Sequence, residues 1–174
     1  MFNNGGHEHI IRNNLFALSA NEALWPYSEK RQNSFRRNIV YVTQGRLFTH
    51  NGERSLKERL AAKESPGDWD ENLYWHTDGA NALIFYYRSF AEWQAIGLDA
   101  HSRIADPQFV NAGGHDFRLK PTSPALQLGF QPIDLSHVGL YGEAAWASEA
   151  SHTQCQPKPF PPPPPVPKPL ETRR

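Results

Sequence analysis

Three groups of side chains could do chemistry in this chain, each of a different kind. Trp25 and Tyr27 stand with Glu22, Glu29 and Arg31 in one polar stretch. Aromatic faces beside charged, hydrogen-bonding ends suit a sugar ring, whose C–H face needs an apolar surface and whose hydroxyls need polar partners. Trp75 and His76, followed by Asp78, offer a similar mixture further along. Trp25, Tyr27, Arg31, Trp75 and His76 are thus the candidate substrate-binding residues; the competing reading of 18–35 is a long loop pinned by its own aromatics. Glycosidic hydrolysis would need two carboxylates flanking the bond. Glu8, Glu22, Glu29, Glu71 and Asp78 fall on stretches that read as exposed, but no spacing singles out a pair, so no catalytic residue is assigned. Elimination would need a base and often calcium, hence clustered acidic oxygens, and no dense acidic run is present. His7-Glu8-His9 lacks the four-residue spacing of the helical zinc motif and supplies too few ligands. No metal or cofactor is expected, and these histidines read as turn and strand-edge residues.

The elements that would carry these groups are organised by a repeated phrase. Asn13-Asn14-Leu15-Phe16-Ala17, Arg37-Asn38-Ile39-Val40-Tyr41 and Glu71-Asn72-Leu73-Tyr74-Trp75 each run polar, Asn, aliphatic, then aliphatic or aromatic. Such text fits a short, half-buried strand. The copies lie 24 and 34 residues apart, a spacing expected when one unit stacks on the next. A single unit cannot cover its own apolar face, so its neighbours must. Stacked asparagines could then donate amide to amide and form a ladder inside the stack.

Ser55 to Lys63 has helix-forming composition, with Ser55 and Glu58 as a capping box, and would account for the longer second spacing. Leu83 to Tyr87 reads as a last strand. Ser89-Phe90-Ala91-Glu92-Trp93 then opens a short helix capped by Ser89 and Glu92 and ended by Gly97, with Phe90 and Trp93 on one side. Prolines at 107, 121 and 124 forbid continued sheet pairing, because each lacks an amide donor. Asp106, Asp116, Arg118 and Lys120 therefore read as residues holding a terminal cap.

The wording of that last stretch carries a resemblance. Ile104-Ala105-Asp106-Pro107-Gln108-Phe109, Asp116-Phe117-Arg118-Leu119-Lys120-Pro121 and Ser123-Pro124-Ala125 followed by Gly129 resemble the closing segment of bacterial right-handed parallel β-helix proteins. This is the pectate-lyase-like superfamily, which includes polysaccharide lyases and β-helical glycoside hydrolases. The helix at 90–94 with His101-Ser102 is similar to the helix these proteins place just upstream. The likeness spans about residues 9–142. It implies an all-β fold: the last coils of a right-handed parallel β-helix, with short helical decorations and a C-terminal cap. It also implies a polysaccharide or oligosaccharide partner and cleavage by hydrolysis or elimination in the full-length protein, which would be secreted or periplasmic. The alternative is a non-catalytic sugar-binding or structural module of a secreted or surface protein.

Bulk properties narrow the rest. Lys+Arg 18 balances Asp+Glu 18, leaving no electrostatic footprint for nucleic acid or an anionic membrane. No apolar run is long enough for a membrane span, and the single Cys155 excludes an intrachain disulfide framework. Met1 to Gly6 is no secretory signal, so this chain reads as the C-terminal part of something longer, with most of any active site elsewhere. The expected organisation is terminal coils over 1–88, a helix and capping segment over 89–142, and a Pro-rich tail over 143–174, in a monomer.

Overall fold

A computed structural model describes residues 8–19, 22–24, 33–48, 52–65, 67–135, 138, 144–146 and 148. The chain divides into two units, one ending at Ile133 and one beginning at Asp134. In the second, residues 144–146 form a helical turn whose Ala145 carbonyl accepts from Ser148 Oγ at 3.0 Å. All that follows concerns the first.

Its strands are short and mostly parallel. β1 (Ile10–Arg12), β2 (Leu15–Ser19) and β3 (Glu22–Leu24) form one pass, and β4 (Ser34–Arg36), β5 (Ile39–Val42) and β6 (Arg46–Phe48) form the next. β7 (Asp68–Asp70) and β8 (Leu73–His76) begin a third pass, and β9 (Arg103–Ile104) belongs to a fourth. Equivalent strands pair into parallel sheets: β1-β4-β7, β2-β5-β8-β9 and β3-β6. The first two passes visit the three sheets in the same order, and the third visits the first two sheets in that order. β3 and the first two residues of β4 lie inside the stretch 18–35 that reads as a loop in sequence, because three-residue strands are too short to show alternation.

Register is strict. Leu15, Ile39, Leu73 and Arg103 align across the second sheet, as do Phe16, Val40, Tyr74 and Ile104. Since side chains alternate, the second row points inward and the first outward. The inward row shares one core with Phe35 of the first sheet and Leu24 and Phe48 of the third. Within it Phe35 stacks on Trp69 at 4.4 Å between ring centroids, and on Phe16 at 5.8 Å. Offset pairs of this kind add about 1 kcal/mol each to the apolar burial.

The corner between the first two sheets is built the same way in the first three passes. Asn13, Arg37 and Glu71 all take positive φ (55°, 54° and 59°), and an asparagine follows each. Asn38 Oδ1 accepts from the backbone N–H of Asn14 (3.0 Å) and from its side-chain amide (3.1 Å). Asn38 Nδ2 donates to the Ile11 carbonyl (3.0 Å) and to Asn72 Oδ1 (3.2 Å). Asn72 Oδ1 also accepts from Asn38 N (2.9 Å), while Asn72 Nδ2 donates to Phe35 O and Asp99 Oδ1, both at 2.8 Å. The ladder expected from the repeat is thus present, with each buried amide fully satisfied. It runs one rung further than the repeat: Ser102 Oγ takes the next position and accepts from Asn72 N at 2.7 Å.

The corner between third and first sheets varies instead. It is ten residues longer in the second pass than in the first, and the difference holds α1 (Gly52–Ala61). Ser55 lies within this helix, not at its cap, because its helical turns begin three residues before the Ser-x-x-Glu pattern. α2 (Phe90–Ala95) begins as the sequence indicates: Ser89 Oγ accepts from Glu92 N, and Glu92 Oε2 accepts from Ser89 N at 2.7 Å. Trp93 is buried against Phe48, Phe85 and Tyr86.

The closing segment lies along a flank. β10 (Phe109–Asn111) and β11 (Asp116–Leu119) form an antiparallel pair that joins none of the parallel sheets, and α3 (Pro124–Gln127) follows. Phe109, Ala125 and Phe130 cover Ile39 and Leu73 on the outward row of the second sheet. Asn13, at the first corner, clasps Gln131 in both directions: Nδ2 donates to its carbonyl (2.9 Å) and Oδ1 accepts its N–H (2.6 Å). Gly129 takes φ 84°, a conformation that favours glycine, and a Cβ there would come 3.2 Å from Arg37 Nε. No helix among the described residues is long and apolar enough to cross a membrane.

Replacing Asn38 with alanine strands the Ile11 carbonyl and the Asn14 N–H inside the stack, and should lower unfolding free energy by about 3 kcal/mol. Asn14→Ala, at a half-buried rung, should cost about 1 kcal/mol. Urea denaturation of the two variants tests this ordering.

Candidate functional site

β8 carries two of the proposed sugar-binding residues. Trp75 sits half-buried on the outward row with Tyr41, while His76 points inward and is buried, its Nδ1 accepting from Asp78 N at 3.0 Å. Alternation places the two rings on opposite faces of the sheet, so they do not form one platform. Trp25, Tyr27 and Arg31 lie outside the described residues, as does Glu29. Of the other carboxylates, Glu22 and Asp78 are exposed, and Glu71 is held by Arg37 Nε at 2.8 Å and Arg36 Nε at 3.6 Å. Asp106 accepts from Gln108 N in a local turn, and Asp116 forms a bidentate pair with Arg118 at 2.8 and 2.6 Å. That pair holds the Asp116 carboxyl down to about 2. These closing-segment acids are occupied locally.

Three arrangements emerge that the sequence does not announce. The first is a buried carboxylate at the end of the ladder. Asp99 Oδ1 accepts from Asn72 Nδ2 and Ser102 Oγ, and Oδ2 accepts from Tyr74 Oη (3.0 Å) and Trp93 Nε1 (2.7 Å). Burial pushes this carboxyl above its usual range, against the opposing pull of the four donors. The Tyr74 hydroxyl is raised too, by its burial and then by the adjacent Asp99. All four donor groups belong to the stack or its closing helix, and Asp99 itself is fully buried, so it is a junction that holds structure together.

The second arrangement lies just outside it. Asp70 Oδ2 meets His101 Nδ1 at 2.7 Å, while Asp70 Oδ1 accepts from the backbone of His101 (2.7 Å) and Glu71 (2.9 Å). Arg36 approaches from the neighbouring strand, its Nη2 3.8 Å from Asp70 Oδ2. The His101 ring is otherwise exposed. The bond to Asp70 raises the imidazole above its ordinary value near 6.5. Burial pushes Asp70 up, but the ring and backbone bonds from His101 outweigh it and leave the carboxyl below its ordinary value.

The third is a cavity of about 410 Å3 against β6, walled by Arg46, Leu47, Phe48, Ile84, Tyr86 and Tyr87. The third pass places no strand beside β6 here. Leu83 to Tyr87, which reads as a strand, instead makes a two-residue hairpin in which Phe85 and Arg88 exchange backbone hydrogen bonds at 2.9 and 3.1 Å. Tyr86 and Tyr87 both take positive φ, 49° and 62°. A turn of this kind prefers Asn-Gly, and a side chain in the left-handed region costs about 1–2 kcal/mol. Tyr86 is buried and stacks on Phe48 at 4.7 Å. Tyr87 is 70% exposed and Ile84 48% exposed. The only hint in the sequence is two bulky residues where a turn is needed, which reads as strand by propensity.

Among the described residues no group of three or more His, Cys, Asp or Glu could hold a metal ion. Compared with family models, with curated proteins and with solved structures, the chain matches none.

The His101–Asp70 bond has a definite pH signature. A raised imidazole contributes stability that is fully present below its ordinary value near 6.5 and is lost as pH rises through the raised one. A lowered carboxyl contributes above its ordinary value near 3.8 and is lost as pH falls through the lowered one. The pair is therefore strongest between those two ordinary values. His101→Ala should shift the urea midpoint more at about pH 5.5 than at about pH 8.5.

Proposed function

We propose that the stack is part of a right-handed parallel β-helix and that the protein to which it belongs acts on polysaccharide, cleaving it by hydrolysis or elimination. The carrying observation is three parallel sheets visited in one fixed order, with an in-register asparagine ladder at one corner. Right-handed winding is supported by the strong rule that crossovers between parallel strands of one sheet turn that way. The carbohydrate assignment is supported by the closing wording, Asp116-Phe117-Arg118-Leu119-Lys120-Pro121 and Ser123-Pro124-Ala125, and by an aromatic cavity at the third sheet. Secretion or a periplasmic location belongs to the same proposal.

One observation favours the second reading, a non-catalytic saccharide-binding module. The cavity walls carry aromatic, aliphatic and arginine side chains but no carboxylate, and Glu71 and Asp116 are engaged with arginines. Hydrolysis requires a facing pair of acids.

Native electrophoresis of the chain through gels containing plant or bacterial polysaccharides separates the outcomes. Retarded migration with at least one polymer is expected. Retardation with release of reducing ends would assign cleavage, and retardation without release would assign the binding module. Unaltered migration and no release with every polymer would overturn the carbohydrate reading.

A further inference from the structure

We propose that the open edge of the first pass is a docking site for a peptide strand of a partner chain, added in parallel to β2 with an asparagine at its corner. The asparagine ladder has a direction, and it begins on an unfilled acceptor. Asn38 Oδ1 receives the N–H and the amide of Asn14, and Asn72 Oδ1 receives those of Asn38. Each rung therefore accepts from the rung before it. Among the described residues nothing donates to Asn14 Oδ1. Its amide is redirected as well. Asn38 Nδ2 and Asn72 Nδ2 each reach a carbonyl of the preceding pass, Ile11 and Phe35, whereas Asn14 Nδ2 folds back to Arg12 of its own pass at 2.9 Å.

Backbone and core are open at the same place. Ile39 N donates to the Asn14 carbonyl at 2.9 Å, with Leu15 opposite Ile39 in register. Alternate residues of a parallel strand bond to opposite neighbours, so the N–H and C=O groups of Leu15 and Ala17 face away from β5. β2 is the outer strand of its sheet, and no described strand pairs with that edge. Burial follows the same gradient. Val40 and Tyr74 are fully buried, while Phe16, in the same inward row, is half-buried. Asn38 and Asn72 are likewise buried and Asn14 half-buried. In the third sheet Ala23 and Leu24 of β3 are already covered, which confines the open site to β1 and β2.

These features select the occupant. An open edge is completed by strand addition, in which main-chain bonds give affinity and side-chain contacts give specificity. The specificity here is an asparagine whose N–H and amide meet Asn14 Oδ1, followed two residues on by an apolar side chain that covers Phe16. A second copy of this chain does not supply that strand. Head-to-tail stacking would need the last corner free, yet Asn72 Nδ2 is taken by Asp99 and β8 is paired with β9. Head-to-head stacking would run the strands antiparallel and bring Asn14 to the far end of the second copy's β2, away from its asparagine.

The test adds peptides to the full chain. The probe is an acetylated peptide of this chain's own residues 33–44, which carries Arg37-Asn38-Ile39-Val40, and its control is the same peptide with Asn38→Ala. Binding is read by calorimetric Kd and by amide shift mapping. The native peptide should bind and move the amides of 10–17. The control should bind about tenfold more weakly, with the protein untouched in both cases. Asn14→Ala in the protein should cause a similar loss while its thermal melt stays cooperative. No binding by the native peptide, shifts that map elsewhere, or a control within about twofold of it overturns the proposal. Concentration-dependent dimerisation of the chain alone, through the same amides, also overturns it and gives the edge to a second copy.

Discussion

Everything in this molecule leans on one constraint: polar groups at the corner between the first two sheets are sealed from water and must satisfy one another. Asn38 is essentially buried and makes four hydrogen bonds through its side chain, each to a different rung or to the strand behind it. Such a network tolerates no slip of register, because moving one strand by a residue would leave several buried donors and acceptors unmade. The left-handed residue before each asparagine makes the turn sharp enough for the amides to stack. With that corner fixed, insertions accumulate at the opposite one, where α1 is accommodated without disturbing the sheets.

The ladder needs an end, and Asp99 with Ser102 provides it. An asparagine at the last rung would leave one amide proton without a further acceptor; a buried carboxylate instead receives four donors, one of them from the ladder itself. The same carboxylate anchors α2 through Trp93, so the closing helix and the polar spine are fixed by one group. The second sheet is then covered on both faces, by the interior aromatics on one side and by Phe109, Ala125 and Phe130 on the other. That explains why its strands read as continuous apolar runs.

What could be read from the sequence followed from how local each signal was. The asparagine phrase gave strand identity, spacing and register because it recurs intact at 14, 38 and 72. Ser89 with Glu92 marked α2 because a capping box acts over four residues. Strands β3 and β4 were hidden, being three residues long. Ser102 was hidden because a hydroxyl replaces the amide, and Asp99 because nothing nearby in sequence marks an aspartate as buried. The closing segment read as a lid on the end of the stack; in space it runs along the flank, which depends on Phe109 and Phe130 finding Ile39 and Leu73 far away in the chain. Trp75 and His76 read as a pair by adjacency, yet a strand sends neighbours to opposite faces. The cavity at Tyr87 arises from a hairpin that propensity argues against.

The clasp between Asn13 and Gln131 joins residues 118 positions apart. A stack whose rungs touch only their neighbours tends to melt from its ends, one rung at a time. Here the corner at Asn13 is tied to the flanking segment at Gln131, so that rung cannot part from its neighbour unless the covering strap is also released. A clasp of that reach couples the loss of this rung to the loss of the flank, where an unclasped stack would fray like rope.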